Sequence, residues 1–491
     1  MAALIILPDA ATAAPSDFTS GGTNSKMAPV FSYLVNTKEQ SVDFEQVEHA
    51  IVTSGGVIIK TYKEIGVIFA RSAAPNFAQR IRSVAGVHSA GVTRSTALRS
   101  PTTTLVGKPF KLHPRSPLDA AWRLSNSQEP LEAEQWSLRA VQADQAAALN
   151  PGSADVTVAV IDTGVDETHP DLADNFSTAQ SASCVGGVAD TTPGAWRPND
   201  PERDYHGTHV AGSIAASRNG YGIAGVAPNV KVAAIKVSEP NSGSFHAESV
   251  VCAFMFAAET GVEITNNSYY VDPWLFNCLS NADQRAVVES VNRAIQHSRG
   301  RGVLSVAAAG NANQDLAEPF LVDTMSPNGT IPVRRIVSPI RCPQIPAMLP
   351  GMITVSATGA QNLKSSFSNY GLGVIDVAGP GGDDYQTPQT PLMNGGVLST
   401  MPGQRYAFLQ GTSMAAPHVA GVAALIRSAR PDATISEIER TLRIHADNPG
   451  CPAGPYDPNG DGRADARCIG GARHNSFYGF GIVDALSAVT A

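Results

Sequence analysis

The run Val156-Thr157-Val158-Ala159-Val160-Ile161, followed directly by Asp162, decides the fold. Six residues of high β preference without a charge describe a strand buried on both faces, as a parallel sheet covered by helices requires. Comparable strands are expected at 230–237, 262–266, 303–308, 353–357 and 374–378. Helical patterns intervene at 208–216, 248–259 and 282–297, and another helix is expected to open near Ser413 and run to about Arg427. Strands alternating with helices predict an α/β doubly wound parallel sheet, assigned to residues 131–491. In such sheets ligands bind beyond the carboxyl ends of the strands, and Asp162 stands at one of them.

Upstream of this region the pattern changes. Residues 31–93 carry strand patterns at 31–35, 57–62, 65–70 and 87–92. Between them Phe44, Val47 and Ile51, then Phe77, Ile81 and Val84, recur at helical spacing. The order β-α-β-β-α-β predicts a small ferredoxin-like α+β unit, too small to be more than marginal alone. Residues 94–130 hold Arg94, Arg99, Lys108, Lys111 and Arg115 among Pro101, Pro109, Pro114 and Pro117, with no acid before Asp119. That composition reads as an exposed, extended linker, or as a segment cut during maturation.

The 491 residues, 43% hydrophobic and 16% charged, suit a globular chain of two unequal domains. A net charge of -8 without a basic stripe argues against nucleic acid, and no apolar run is long enough to span a membrane. Residues 1–13 resemble the end of a secretory signal with an Ala11-Thr12-Ala13 site, although no Lys or Arg precedes Lys26. The six cysteines form no metal-binding spacing, so disulfides in an oxidising compartment, and hence secretion, are expected.

Chemistry is concentrated in three blocks. Gly411-Thr412-Ser413-Met414-Ala415-Ala416-Pro417-His418 follows the apolar run 406–409 and presents a serine at a helix N-terminus, where unpaired N–H groups favour negative charge. His206 opens another helix in His206-Gly207-Thr208-His209-Val210-Ala211-Gly212. An aspartate to orient an imidazole, a histidine to take a proton and a serine to attack make an acyl-transfer triad of Asp162, His206 and Ser413. Asn311, after the expected strand in Ala307-Ala308-Ala309-Gly310-Asn311, is suited to donate an amide N–H to an oxyanion. His209 and His418 read as packing residues.

These blocks, with Val160-Ile161-Asp162-Thr163-Gly164, resemble the subtilisin-like serine peptidases, secreted actinobacterial members included. Their order Asp…His…Ser excludes the α/β-hydrolases, and Ala415 stands where the hydrolase motif requires glycine. The resemblance runs from about Trp136 to Ala485. It implies a secreted, monomeric serine endopeptidase acting on polypeptides, with residues 31–93 as its own inhibitory propeptide. An inert binding protein on the same scaffold, or an esterase using the same triad, are the alternatives. In the family, substrates pair as a strand with the segment held here by Ser268 and Tyr269, which could equally be a core aromatic. Structural calcium is also implied, at Asp171 of His169-Pro170-Asp171-Leu172 and at Asn219 of the loop 217–223. Separately, Asp457, Asn459, Asp461 and Asp465 follow an EF-type spacing, but Cys468 replaces its final Glu; a Gly- and Asp-rich turn explains them as well.

Six cysteines allow 15 pairings. Cys451 and Cys468 flank a Gly-, Pro- and Asp-rich segment with almost no apolar side chains, so a local crosslink is expected there. Cys278 with Cys342 follows more weakly, leaving Cys184 with Cys252.

Overall fold

The computed structural model describes residues 29–38, 44–94, 104–112, 128–240, 242–328 and 331–490. The signal-like segment 1–13 and linker stretches 95–103 and 113–127 lie outside these. The N-terminal unit has strands β1 (Phe31–Thr37), β2 (Gly56–Tyr62), β3 (Val67–Ser72) and β4 (Val87–Val92), in the sheet order β2-β3-β1-β4. Every pairing is antiparallel, and helices Phe44–Thr53 and Phe77–Arg82 form the two crossovers. One expected boundary moves: Ile65 belongs to a 3₁₀ turn, Lys63–Ile65, that ends on left-handed Gly66.

Alternation along these strands gives the sheet two different faces. Tyr33, Val35, Ile68 and Ala70 pack with Val47, Ile51, Phe77 and Ile81 of the unit's own helices. Leu34, Val67 and Phe69 join a second cluster with Val250, Phe254, Val287 and Val291 of the main domain. Polar bonds reinforce this seam. Arg293 donates to Thr37 O (2.8 Å), Ile65 O (3.1 Å) and Gly66 O (3.1 Å). Asn36 donates to Ala286 O (3.0 Å) and accepts from Ser290 Oγ (2.8 Å). Arg94 pairs with Glu248 (2.8 Å) and Glu239 (2.5 Å), and Arg82 with Asp283. The small unit leans on the larger one, as its size required.

The linker reading needs correction at one place. Residues Thr104–Lys111 form β5, which pairs antiparallel with β16 (Arg405–Gln410) beside β15 (Val397–Met401). Val106 and Phe110 pack against the cluster of Leu398, Tyr406 and Phe408, so this stretch is part of a sheet and not a solvated spacer.

The main sheet contains β6 (Thr157–Asp162), β7 (Ala182–Ser183), β8 (Lys231–Lys236), β9 (Ile264–Asn267), β10 (Leu304–Ala308) and, after the separate antiparallel pair β11 (Leu321–Asp323) and β12 (Arg335–Val337), β13 (Met352–Thr358) and β14 (Val377–Pro380). Their order is β14-β13-β10-β9-β6-β8-β7, and every pair is parallel. β14 starts three residues later than expected, because Val374 and Ile375 belong to a turn closed on Gly371 O. Val158 and Val160 face the helices His206–Ala215 and Thr412–Ala429, while Ala159 and Ile161 face Ala247–Thr260 and Ala282–Gly300. This is the doubly wound arrangement. From β6 the chain runs to β7 and β8 on one side and then crosses to β9 on the other, so a crevice opens between β6 and β9 at their carboxyl ends.

The expected disulfide Cys451–Cys468 is present, and the other four cysteines pair as Cys278–Cys342 and Cys184–Cys252. The 451–468 loop nevertheless has its own anchor in the core. Tyr456 is buried edge-on to Phe477 and donates to Lys364 O. Lys364 is buried among the rings of Tyr370, Tyr456 and Phe477 and donates to Asn313 Oδ1 (2.7 Å). Burial lowers its pKa to about 7.

Candidate active site

β6 delivers Asp162 to the crevice, fully buried, with Thr163 N donating to its Oδ1 (2.7 Å). The helix His206–Ala215 opens with His206, whose Nδ1 lies 2.8 and 3.0 Å from the two Asp162 oxygens. Gly207 permits this approach, since a Cβ there would lie 2.4 Å from Gly164 O. With Nδ1–H facing a carboxylate, Nε2 is the acceptor of the neutral ring, and it is buried with no hydrogen-bond partner among the described residues.

Ser413 is the second residue of the Thr412–Ala429 helix, which continues directly from β16 through Gly411. Its Oγ donates to Ser268 O (3.3 Å), and Ser268 Oγ donates back to Ser413 O (3.1 Å). Pro417 explains the second bond. Proline has no N–H to give the carbonyl four residues earlier, so Ser413 O is left for Ser268. Ser268, on the chain leaving β9, thereby ties the crevice wall to the helix end.

Asn311 lies beyond β10. Its Oδ1 accepts from Thr412 N (2.8 Å) and Thr412 Oγ1 (2.7 Å), which makes Nδ2 the donating end. Gly310 N donates to Thr412 Oγ1 (3.0 Å), and Asn369 holds the loop through Ala309 O (2.9 Å), Ala312 N (3.1 Å) and Gln314 N (3.0 Å). The structure thus pairs His206 with Asp162 at the end of β6, and brings Ser413, Asn311 and Ser268 together on the wall of one pocket. Tyr269 is both wall and core: it lines the pocket beside Ser413, yet is buried, stacked on Phe245 at 4.9 Å and bonded to Asn267 Oδ1 (2.9 Å). His209 and His418 are structural. His209 Nε2 sits 3.1 Å from both Val397 O and Ala407 O, and His418 Nδ1 sits 2.8 Å from Met414 O. Burial lowers their pKa values to about 3 and about 4.

The two expected calcium sites part company. Asp171 is fully buried; its Oδ2 accepts from Ile223 N and Tyr406 Oη (both 3.0 Å), while Oδ1 has no hydrogen-bond partner among the described residues. Glu129, which the sequence reading missed, has a buried Oε2 in the same condition, and its charge acts on Asp171. Burial first, and Glu129 after it, push Asp171 up to about 7. Two buried carboxylate oxygens without donors fit a hard cation. Asn219 stands on the exposed rim of that loop, with Oδ1 accepting from Tyr221 N (2.9 Å) and Nδ2 donating to Pro170 O (3.0 Å).

The second loop has the geometry of the Gly- and Asp-rich turn that its sequence allowed. Asp457 accepts from the backbone of Gly460 (2.8 Å), Asp461 (3.1 Å) and Gly462 (2.8 Å), Asn459 from Asp461 N (2.9 Å), and Asp461 from Arg463 N (2.9 Å). Asp457 is half-buried and the others exposed; Asp457, Asn459 and Asp461 cap their own turn, while Asp465 accepts from Asn459 Nδ2 (3.4 Å). Among the described residues no group of three or more His, Cys, Asp or Glu could hold a metal ion. No signal in the sequence marked Glu129, whereas Pro417 could have been read from its spacing to Ser413.

The model of the Subtilase family matches residues 153–481. An alkaline protease of Alkalihalobacillus alcalophilus is 33% identical over 331 residues, 67% of this chain and 68% of that protein. Subtilisin Savinase of Lederbergia lenta is 33% identical over 331 residues, 67% of this chain and 96% of its own. The epidermin leader peptide processing serine protease of Staphylococcus aureus has the same fold, with a TM-score of 0.69 at 21% identity over 94% of this chain and 99% of that one. Fervidolysin from Fervidobacterium pennivorans gives 0.62 at 23% identity over 96% and 62%. This chain belongs to the subtilase family and is a serine endopeptidase.

Proposed function

We propose that Ser413 is the nucleophile of this endopeptidase, His206 its general acid and base, Asp162 the group that orients the imidazole, and Asn311 the donor to the oxyanion. The observation that carries this is His206 held at Nδ1 by Asp162 with a buried, unpartnered Nε2. Ser413 Oγ turns from Ser268 O to that nitrogen, gives up its proton and attacks the substrate carbonyl. The developing oxyanion meets Asn311 Nδ2 and the first turn of the helix. His206 then protonates the leaving amine, and water repeats the sequence on the acyl-enzyme. The polypeptide substrate lies along Ser268 and Tyr269 as an added strand.

Residues 31–93 act in this reading as an inhibitory propeptide, removed by a cut within 94–130; their seam with the main domain supports it. The enzyme is secreted, which the three disulfides favour, and works as a monomer. Among the described residues no helix is long and apolar enough to cross a membrane. Calcium, when bound, supplies charge compensation to Asp171 and Glu129, with Asn219 at the rim. A serine-directed fluorophosphonate should label the wild type and not Ser413→Ala, and that variant should keep residues 31–93 attached. Labelling that survives in Ser413→Ala would overturn the assignment.

A further inference from the structure

The pocket beside Ser413 lies between the chain leaving β9, Ser268 to Tyr270, and the chain leaving β10, Ala308 to Asn311. An acyl group on Ser413 with its oxygen toward Asn311 sends its own side chain into this pocket. The wall therefore reads P1, the residue on the amino side of the cut bond. Phe245, Tyr269 and Tyr270 make its aromatic part. Gln344 is different. It is 3% exposed, and its Oε1 has no hydrogen-bond partner among the described residues. Its amide lies against Gly310: a Cβ there would come within 2.9 Å of Nε2 and 3.3 Å of Oε1. Gly310 in turn is bonded to Thr412, so Gln344 stands one residue away from the helix end that carries Ser413.

A buried amide oxygen without a donor is unfavourable, and a ligand that brings an N–H recovers the loss. Asp272, also on the wall, already accepts from Phe245 N (2.8 Å) and Asn328 Nδ2 (2.9 Å). It contributes negative potential, whereas Gln344 contributes the open acceptor. We infer that Gln344 sets the P1 preference, selecting side chains with an apolar stem and terminal N–H donors, glutamine and lysine, over apolar ones of equal length. This rests on the roles given above to Ser413 and Asn311.

Peptide substrates identical except at P1 test it, in the pairs Gln against Met and Lys against norleucine. Wild-type kcat/KM should favour the donor in each pair by about 10–100-fold, the range that leaving one buried polar group unpaired costs. Gln344→Met, close in shape, should bring the Gln/Met ratio to about one or below. Gln344→Glu, the second variant should the first not fold, should raise the Lys/norleucine ratio by a further ~10-fold. A wild type that prefers Met and norleucine, or ratios unchanged in the variants, would overturn the inference. Absence of both fluorophosphonate labelling and cleavage across the whole panel would overturn the triad reading, and this one with it.

Discussion

The two helical layers of the parallel sheet differ in what covers them. In the layer of His206–Ala215 and Thr412–Ala429, every residue from Thr412 to Ile426 is buried within the same domain. The opposite layer, Ala247–Thr260 and Ala282–Gly300, is covered by the N-terminal unit. There the apolar contacts of Leu34, Val67 and Phe69 are interleaved with bonds from Asn36, Arg82, Arg94 and Arg293. A sealed apolar layer cannot be opened without unfolding, whereas a seam rich in charged donors can be rewetted when its partner leaves. The proposed catalytic groups sit on the sealed side, and the proposed regulation on the side that can part.

The sharpest way to test the sealed side is Asn311→Ala. It should lower kcat by about 10²–10³-fold with little change in KM, a magnitude that comes from subtilisin itself. Steady-state kinetics on a peptide amide checks it, and an effect mainly on KM would move Asn311 out of the oxyanion role.

On the other side, Gly91→Ala places a Cβ 2.4 Å from Asp283 O without straining its own strand, and Arg293→Ala removes donors to three carbonyls. Each should weaken inhibition by separately produced residues 29–94 by about 10-fold, leaving hydrolysis of a short peptide unchanged. Equal inhibition constants would mean that the apolar contacts alone hold the seam.

Chelation probes a third junction, the loop around Asp171. Removing calcium from the inhibitor-blocked enzyme should lower Tm by about 5 °C or more, by mass action on the folded state. Glu129→Gln should shrink that shift, and Asp461→Ala should leave it unchanged.

The smallest effect is a slope. In the unfolded chain His209 and His418 take up protons near pH 6.5, but burial in the sealed layer delays this to about 3 and about 4. Their folded-state pKa values are depressed, so the unfolded state binds more protons in that window, and stability is lost as pH falls through it. Melting curves of Ser413→Ala between pH 7 and pH 4 should show the decline, and His418→Gln should flatten it.

The sequence made the sealed side legible because burial on both faces leaves a plain record. Val156 to Ile161 could only be an inner strand, and the residues just past such strands had to be chemistry or turns. Elsewhere the record was ambiguous. The basic, proline-containing stretch around Lys108 and Lys111 looked solvated, because an edge strand needs only one packed face and Leu105, Val106 and Phe110 suffice for it. Asp457 and Asn459 matched a metal loop because the spacing that points oxygens at a cation also points them at their own backbone N–H groups. Glu129 and Gln344 left no trace at all. Each matters through what it lacks, a donor for a buried oxygen, and that is a property of three-dimensional packing.

The pairing of β5 with β16 bears on colloidal behaviour. In the three-stranded sheet β16 is the middle strand, and it is also the strand that enters the Ser413 helix. A chain that begins before Thr104 keeps β16 bonded on both edges. A chain trimmed past Lys111 presents a row of bare N–H and C=O groups beside its most important helix, a template onto which another molecule's strand can add. Where the amino terminus falls therefore bears on whether the enzyme stays dispersed at high concentration as well as on its proposed release from inhibition.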